Sequence, residues 1–345
     1  MIPIQNVYYM LSYAFQVLNE QGYKNIATEQ FHNTAELMAA ILEKGIAIQL
    51  KRGLGKEYIP QTEALSSLRG KIDIAESIKT QSTLRKQLIC TYDEFSVNSI
   101  MNRIIKSTVE LLLRSNISKQ RKKNLRKLMV YFSEVDFIDL YTVNWNVQYN
   151  RNNQTYRMLI SICYLVVKGL LQTQSNGHTK LMDFLDEQRM CRLYEKFILE
   201  YYRREFKNQI TANTSQIPWQ LDNEENSLLP VMQSDIMLQS GEKVLIIDAK
   251  YYEHSTQVQF DKHTLHSGNL YQIFTYVKNK EYELREKNHT VSGMLLYAKT
   301  DEEIYPNNVY QMSGNQITVR TLDLNLPFDE IAGQLNTIAK THFDL

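Results

Sequence analysis

LLPVMQSDIMLQSGEKVLIIDAKYY, residues 228–252, decides how this chain reads. Val231 to Gln239 and Lys243 to Ala249 both have the texture of strands, and Ser240 with Gly241 between them predicts a tight hairpin turn. The run Val244-Leu245-Ile246-Ile247 is wholly apolar, as expected of a central strand covered on both faces. Asp235 then falls on the first strand of the hairpin, and Asp248 and Lys250 at the end of the second. Side chains alternate across a strand, so Asp248 and Lys250, two apart, share a face. Charge at the end of such an apolar strand is costly unless paired or bound to a metal. Two carboxylates and a main-chain carbonyl, that of Ala249, make an oxygen ligand set suited to Mg²⁺. Such an ion polarises a phosphoryl oxygen and acidifies bound water, and a lysine beside it can orient that water or offset charge developing at phosphorus. A lone Asp-x-Lys would be read as a surface ion pair; the buried strand and the second aspartate favour phosphodiester hydrolysis.

Outward from the hairpin the pattern is helix, hairpin, helix, strand, which predicts an α+β or α/β domain with a mixed sheet flanked by helices. Gln188 to Lys207 reads as the preceding helix, Asn269 to Val277 as the following one and Gly293 to Tyr297 as a further strand. The N-terminal part is mostly helical: Tyr8 to Leu18, Thr34 to Ile48 with a capped start at Thr34, Asn98 to Arg114, and Thr155 to Leu171 carry apolar residues at helical spacing. Gly53, Gly55, Pro60 and Gly70 punctuate short runs such as KEYIP and KIDIA, so a small β module is expected within Gly53 to Asp73. Polar Gln172 to Lys180 places a boundary near 180, dividing the chain into 1–180 and 181–345.

With 345 residues the chain is long enough for two cores. Its 39 basic and 38 acidic side chains leave a net charge of +1, which excludes a uniformly basic surface and leaves local patches or a partner to supply affinity for nucleic acid. Three cysteines, Cys90, Cys163 and Cys191, form no C-x-x-C pair, so neither a cysteine-based zinc site nor a disulfide framework is expected. The opening MIPIQNVYYMLSYAF lacks a basic n-region and cleavage site, and no apolar run spans a bilayer; a cytoplasmic protein without membrane contact is expected. No nucleotide-binding loop is present, and Arg52 and Lys56 around Gly53 and Gly55 do not complete one, so this chain is not expected to bind GTP.

The order Asp235, hairpin, Asp248-Ala249-Lys250 resembles the signature of the PD-(D/E)xK nuclease superfamily, with Ser234 where the signature has proline and Pro230 upstream. That resemblance implies Asp235 and Asp248 as metal ligands and Lys250 as the catalytic lysine. It also points to an acid on the preceding helix, Glu195 in RLYEKFILEYYRR with Glu200 as the alternative, and to Gln272 and Tyr276 in NLYQIFTYV, one helical turn apart and so on one face. An exposed salt-bridge role for Glu195, and ordinary packing for Gln272 and Tyr276, remain open alternatives. The segments IPIQNVYYMLSYAF, NRIIKSTVELLL, SDIML, LIIDAKYY and HSGNLYQ resemble one family, McrC, nearly end to end. What the resemblance implies is a Mg²⁺-dependent DNA endonuclease subunit of a methylcytosine-specific restriction complex. Its partner would be an AAA+ GTPase ring resembling McrB, which binds the GTP and recognises methylated cytosine in double-stranded DNA. The N-terminal region would engage the ring and stimulate GTP hydrolysis, and the C-terminal region would cut. A non-catalytic activator of the ring, or a stand-alone repair nuclease of the same fold, are the rival readings; the intact acid–lysine set argues against the first and the near-neutral charge against the second.

Two features stay outside that scheme. The run KQRKKNLRK, 119–127, is a solvated helix face, a DNA-binding patch or a ring contact, and the sequence does not choose. His254, His263 and His266 lack metal-ligand spacing and read as loop residues.

Overall fold

The computed structural model describes residues 2–15, 18, 23, 26, 29, 31–150, 153, 155–175, 187–222, 228–252, 256–259, 262–299 and 305–345. The chain divides into two compact units, one made of residues 29–184 and the other of residues 1–28 with 185–345. Helix α1 (Ile4–Ala14) carries no charged residue and buries Val7, Tyr8, Met10, Leu11, Tyr13 and Ala14. Its partners lie at the far end of the chain: Asn6 donates to the Leu324 and Leu326 carbonyls at 2.7 and 2.8 Å, and Tyr9 stacks on Phe328 at 4.4 Å. The expected division therefore differs at its start, because residues 1–28 pack with the C-terminal unit. The boundary expected near 180 falls at residues that lie outside the described ones.

In the 29–184 unit, α2 (Thr34–Arg52) begins at Asn33, whose side chain accepts the Glu36 amide at 2.8 Å; the cap is thus one residue before the expected Thr34. The β module is larger than Gly53 to Asp73. Strands β1 (Glu57–Leu65), β2 (Lys71–Asp73) and β3 (Leu88–Ser96) form an antiparallel sheet in the order β1-β3-β2, with the short helix α3 (Ile74–Lys79) between the last two. Helices α4 (Ile100–Arg114), α5 (Lys119–Met129) and α6 (Tyr156–Ser175) follow, the first two capped by Ser99 and Ser118. Buried Asn102 ties this unit together: it donates to the Gly55 and Val97 carbonyls and accepts from the Tyr156 hydroxyl, which in turn accepts the Gly55 amide. Helices α2 and α5 are joined by Arg121, which reaches Glu29, Glu36 and Glu43 at 2.7, 3.4 and 2.9 Å.

In the other unit, α7 (Glu187–Glu205) is followed by β4 (Thr211–Asn213), β5 (Gln216–Ile217), β6 (Met232–Gln233), β7 (Ile236–Ser240) and β8 (Lys243–Lys250). Next come the small hairpin β9 (Thr256–Gln259) and β10 (Lys262–Leu265), α8 (Ser267–Glu283), β11 (Thr290–Ala298), β12 (Asn308–Met312), β13 (Asn315–Leu322) and α9 (Phe328–Phe343). Six strands form one mixed sheet, β12-β13-β11-β8-β7-β4. The pairs β8–β11 and β11–β13 are parallel and the others antiparallel. The wholly apolar stretch of β8 is buried mid-sheet, as its composition predicts. The β7–β8 register joins Ser240 to Lys243, so the turn residues are Gly241, at φ +56°, and Glu242, one position later than expected. A Cβ on Gly293 of β11 would stand 2.8 Å from Ile273 and 2.9 Å from Val277, so its absence lets α8 lie close on the sheet.

One expected strand is broken. Val231 to Gln239 divides into β6, which pairs with β5, and β7, which pairs with β8. Ser234 and Asp235 occupy the break, where Ser234 and Ser215 exchange hydrogen bonds of 2.9 and 3.2 Å. Asp235 thus sits just before β7 rather than on it. Among the described residues no helix is long and apolar enough to cross a membrane.

Candidate active site

The hydrophobic strand β8 delivers Asp248 and Lys250 to its C-terminal end. Asp248 is 1% exposed. Lys250 Nζ lies 2.9 Å from both of its carboxylate oxygens, hydrogen-bonded to Oδ1 and ion-paired with the buried Oδ2. Between them in sequence, the Ala249 amide donates to Asp235 Oδ2 at 3.1 Å. The break before β7 thereby turns the Asp235 carboxylate onto the end of β8. On the face shared with α8, Lys250 reaches Gln272 Oε1 at 3.4 Å, and Gln272 Nε2 donates to the Tyr276 hydroxyl at 3.0 Å. The one-turn spacing of Gln272 and Tyr276 therefore serves one continuous chain of polar contacts, Asp248–Lys250–Gln272–Tyr276.

Helix α7 contributes Glu195. Its Oε1 accepts from the Cys191 thiol at 3.1 Å, and the same sulfur lies 3.9 Å from the Ala249 carbonyl. Glu200, the alternative acid, is engaged by Arg203 at 2.8 Å.

The electrostatics follow from burial. Desolvation raises the Asp248 pKa, Lys250 opposes the shift and the neighbouring Asp235 adds to it. Burial pulls Lys250 down, but the charge and hydrogen bond of Asp248 outweigh it, so the ammonium is held above its ordinary range. Glu195 is raised by burial first and then by Asp235. Burial, and next the bond to Glu195, push the Cys191 thiol up to about 12, so it is a neutral donor rather than a thiolate nucleophile.

Among the described residues no three His, Cys, Asp or Glu side chains form a ready cage for an ion. The oxygens on offer are the carboxylates of Asp235 and Asp248 and the Ala249 carbonyl. That sparse set suits a hard dication that retains several of its waters. Asp248 Oδ2, buried and met in the ion pair with Lys250, is an atom that such a cation would share with the lysine.

Sequence reasoning missed Cys191 and a second polar group beside the lysine. Asn269 donates to the Tyr297 hydroxyl at 2.9 Å and accepts from Tyr252 at 3.4 Å. Tyr297 is paired in register with Lys250, and Asn269 lies one turn before Gln272, so helical spacing alone could have found the asparagine. His254 lies outside the described residues, as does the side chain of His263, whose backbone belongs to β10 rather than a loop. His266 is the residue before α8, its ring 5.4 Å from that of Tyr252.

Residues 5–298 match the family described as the McrBC 5-methylcytosine restriction system component. The chain is 30% identical over 330 residues to the Type IV methyl-directed restriction enzyme EcoKMcrBC of Escherichia coli (strain K12), covering 94% of this chain and 93% of that one. A half-complex of Thermococcus gammatolerans McrB AAA+ hexamers with bound McrC is similar over 97% of this chain and 76% of the other, at 18% identity and a TM-score of 0.48. The T. gammatolerans McrBC complex is similar over 59% of each chain, at 22% identity and a TM-score of 0.41.

Proposed function

This chain belongs to the family of McrBC 5-methylcytosine restriction system components, and from that membership we propose that it is the DNA-cutting subunit of such a system. The reaction is Mg²⁺-dependent hydrolysis of phosphodiesters in double-stranded DNA bearing methylated cytosine. The partner is an AAA+ GTPase ring of the McrB kind, whose GTP hydrolysis this chain stimulates. The unit of residues 185–345, completed by 1–28, carries the chemistry, and the 29–184 unit engages the ring.

The observation that carries the reading is the buried Asp248 carboxylate at the end of β8, with Lys250 ion-paired to it and Asp235 turned onto the same strand end. When bound, Mg²⁺ supplies Lewis acidity at the phosphoryl group and an acidified water. Asp235 and Asp248 would hold it, with the Ala249 carbonyl as a third oxygen. The Asp248 carboxylate, already paired with Lys250, would supply negative charge to the cation. Lys250, held charged, then offsets the negative charge that develops at phosphorus. Gln272 fixes the Lys250 side chain from the α8 side, Tyr276 fixes Gln272, and Glu195 adds a carboxyl group near Asp235.

Asp248→Asn tests the assignment, because it keeps the shape and removes the charge. Cleavage of methylated DNA in the presence of the ring partner and GTP is expected to fall at least ~10²–10³-fold. Mg²⁺ binding measured calorimetrically should weaken in parallel, while stimulation of the ring's GTPase persists. Undiminished cleavage would overturn the site. Loss of both activities with a lowered melting temperature would assign Asp248 to folding.

A further inference from the structure

We propose that the outward face of α5 is a binding surface for the sugar-phosphate backbone of duplex DNA, separate from the candidate active site. Helix α5 reads KQRKKNLRKLM over 11 residues and contains no acid. At 3.6 residues per turn, Lys119, Lys122, Lys123, Arg126 and Lys127 fall within an arc of about 140°. The opposite side docks the helix: Leu125 is buried, and Arg121 is spent on Glu29, Glu36 and Glu43. The five cations on the arc have no carboxylate partner among the described residues; four are exposed and Lys122 is half-buried.

This arrangement works against the helix that carries it. Like charges three and four residues apart repel. Lys119 and Lys122 also sit in the first turn, where the helix dipole disfavours cations. On other helices four basic residues sit beside an acid of their own helix: Lys79 pairs with Glu76, Arg114 with Glu110, Lys278 with Glu281 and Lys280 with Glu283, each within about one helical turn. A face kept for solubility would carry the same mixed signs. In a chain of net charge +1, an unmixed cationic stripe is a local concentration of charge. Its counterpart must be a dense, regular polyanion. The helix is about 16 Å long, and duplex DNA presents one charge per about 1.7 Å of its axis. Exposed Tyr131, just past the helix, adds a ring at the end of the stripe. The inference rests on the nuclease reading only in taking DNA as the polyanion.

The test is equilibrium binding of the full-length chain to a short labelled duplex without methylcytosine, with Mg²⁺ omitted so that nothing is cut, over a salt series. The variant K119Q/K122Q/K123Q/R126Q/K127Q keeps helix propensity and removes the charge. Its affinity at low salt should fall by more than about tenfold, and the slope of log K against log salt should flatten by about 0.9 for each phosphate no longer neutralised. Replacing the four lysines by arginine should preserve both. If the fivefold variant does not fold, K123Q/K127Q at two exposed positions should still flatten the slope by about 1.8. An unchanged affinity and slope in a folded variant overturns the proposal. So does loss of stimulation of the ring GTPase with the DNA slope intact, which would make an acidic protein surface the occupant. Cleavage by D248N reads the nuclease assignment and the salt slope reads this surface, so failure of the nuclease reading and failure of this surface give different results.

Discussion

Gln272 touches Lys250 and Tyr276, and in the proposed function it positions the lysine. Gln272→Ala should therefore lower kcat about 10–100-fold with KM for DNA nearly unchanged, in the range measured when a supporting hydrogen bond is removed. Gln272→Glu, which keeps an acceptor toward Lys250, should recover part of the loss; a KM effect of equal size would instead make Gln272 a DNA contact. His342, in the last turn of α9, offers a second prediction at this scale. Burial, and then the charge of Lys243, lower its pKa below the ordinary 6.5. The unfolded chain takes up a proton on that imidazole near pH 6.5, whereas the folded chain resists until lower pH. The contribution of His342 is hence intact above about 6.5 and is lost as pH falls toward the lowered value. Melting temperatures recorded across this range should decline on acidification, and less steeply in His342→Gln. An identical acid slope in the variant would place the sensitivity elsewhere.

Among the elements, the packing of α8 on β11 links stability to the site. Gly293→Ala would press a methyl group against Ile273, Val277 and Ile317, each within 2.9 Å, at a cost of about 1–3 kcal/mol. Since α8 carries Gln272 and Tyr276, the displaced helix should lower cleavage more than DNA binding, and a stable variant with full activity would contradict the coupling. The β7–β8 hairpin, Asp248, Lys250 and the first turns of α8 were legible in the sequence because each rests on local periodicity: an apolar run, a spacing of two, a spacing of four. The position of Asp235 was half legible. Its proximity to Asp248 follows from the hairpin, but the break that aims it depends on Ser234 meeting Ser215, nineteen residues upstream. The edge strand β12, its neighbour β13 and helix α9 were not read, because no chemistry-bearing motif drew attention to them. The β module was read short, since β3 joins β1 and β2 only through pairing that sequence pattern does not reveal.

For the molecule as a whole, the division of the chain was the least legible feature. An apolar N-terminal helix looks like part of whatever follows it, and nothing local to α1 names Leu324, Leu326 or Phe328 as its partners. A fragment of residues 185–345 alone should accordingly fail to fold well. It would expose the surfaces of Phe197, Tyr201 and Phe328 that Tyr9 and Tyr13 cover. Its near-UV circular dichroism should be weak and its binding of a hydrophobic dye strong, with both corrected when residues 1–28 are supplied as a separate peptide. A fragment that is native by both measures would show that α1 is dispensable.

That sharing of one unit between residues 1–28 and 185–345 has a consequence for synthesis. Helix α1 is made well ahead of its berth, Asn6 preceding Leu324 by 318 residues. At ~5–20 residues per second, the helix waits on the order of ten seconds or more for its docking strands and helices. Throughout that interval its apolar side is a natural client for chaperones.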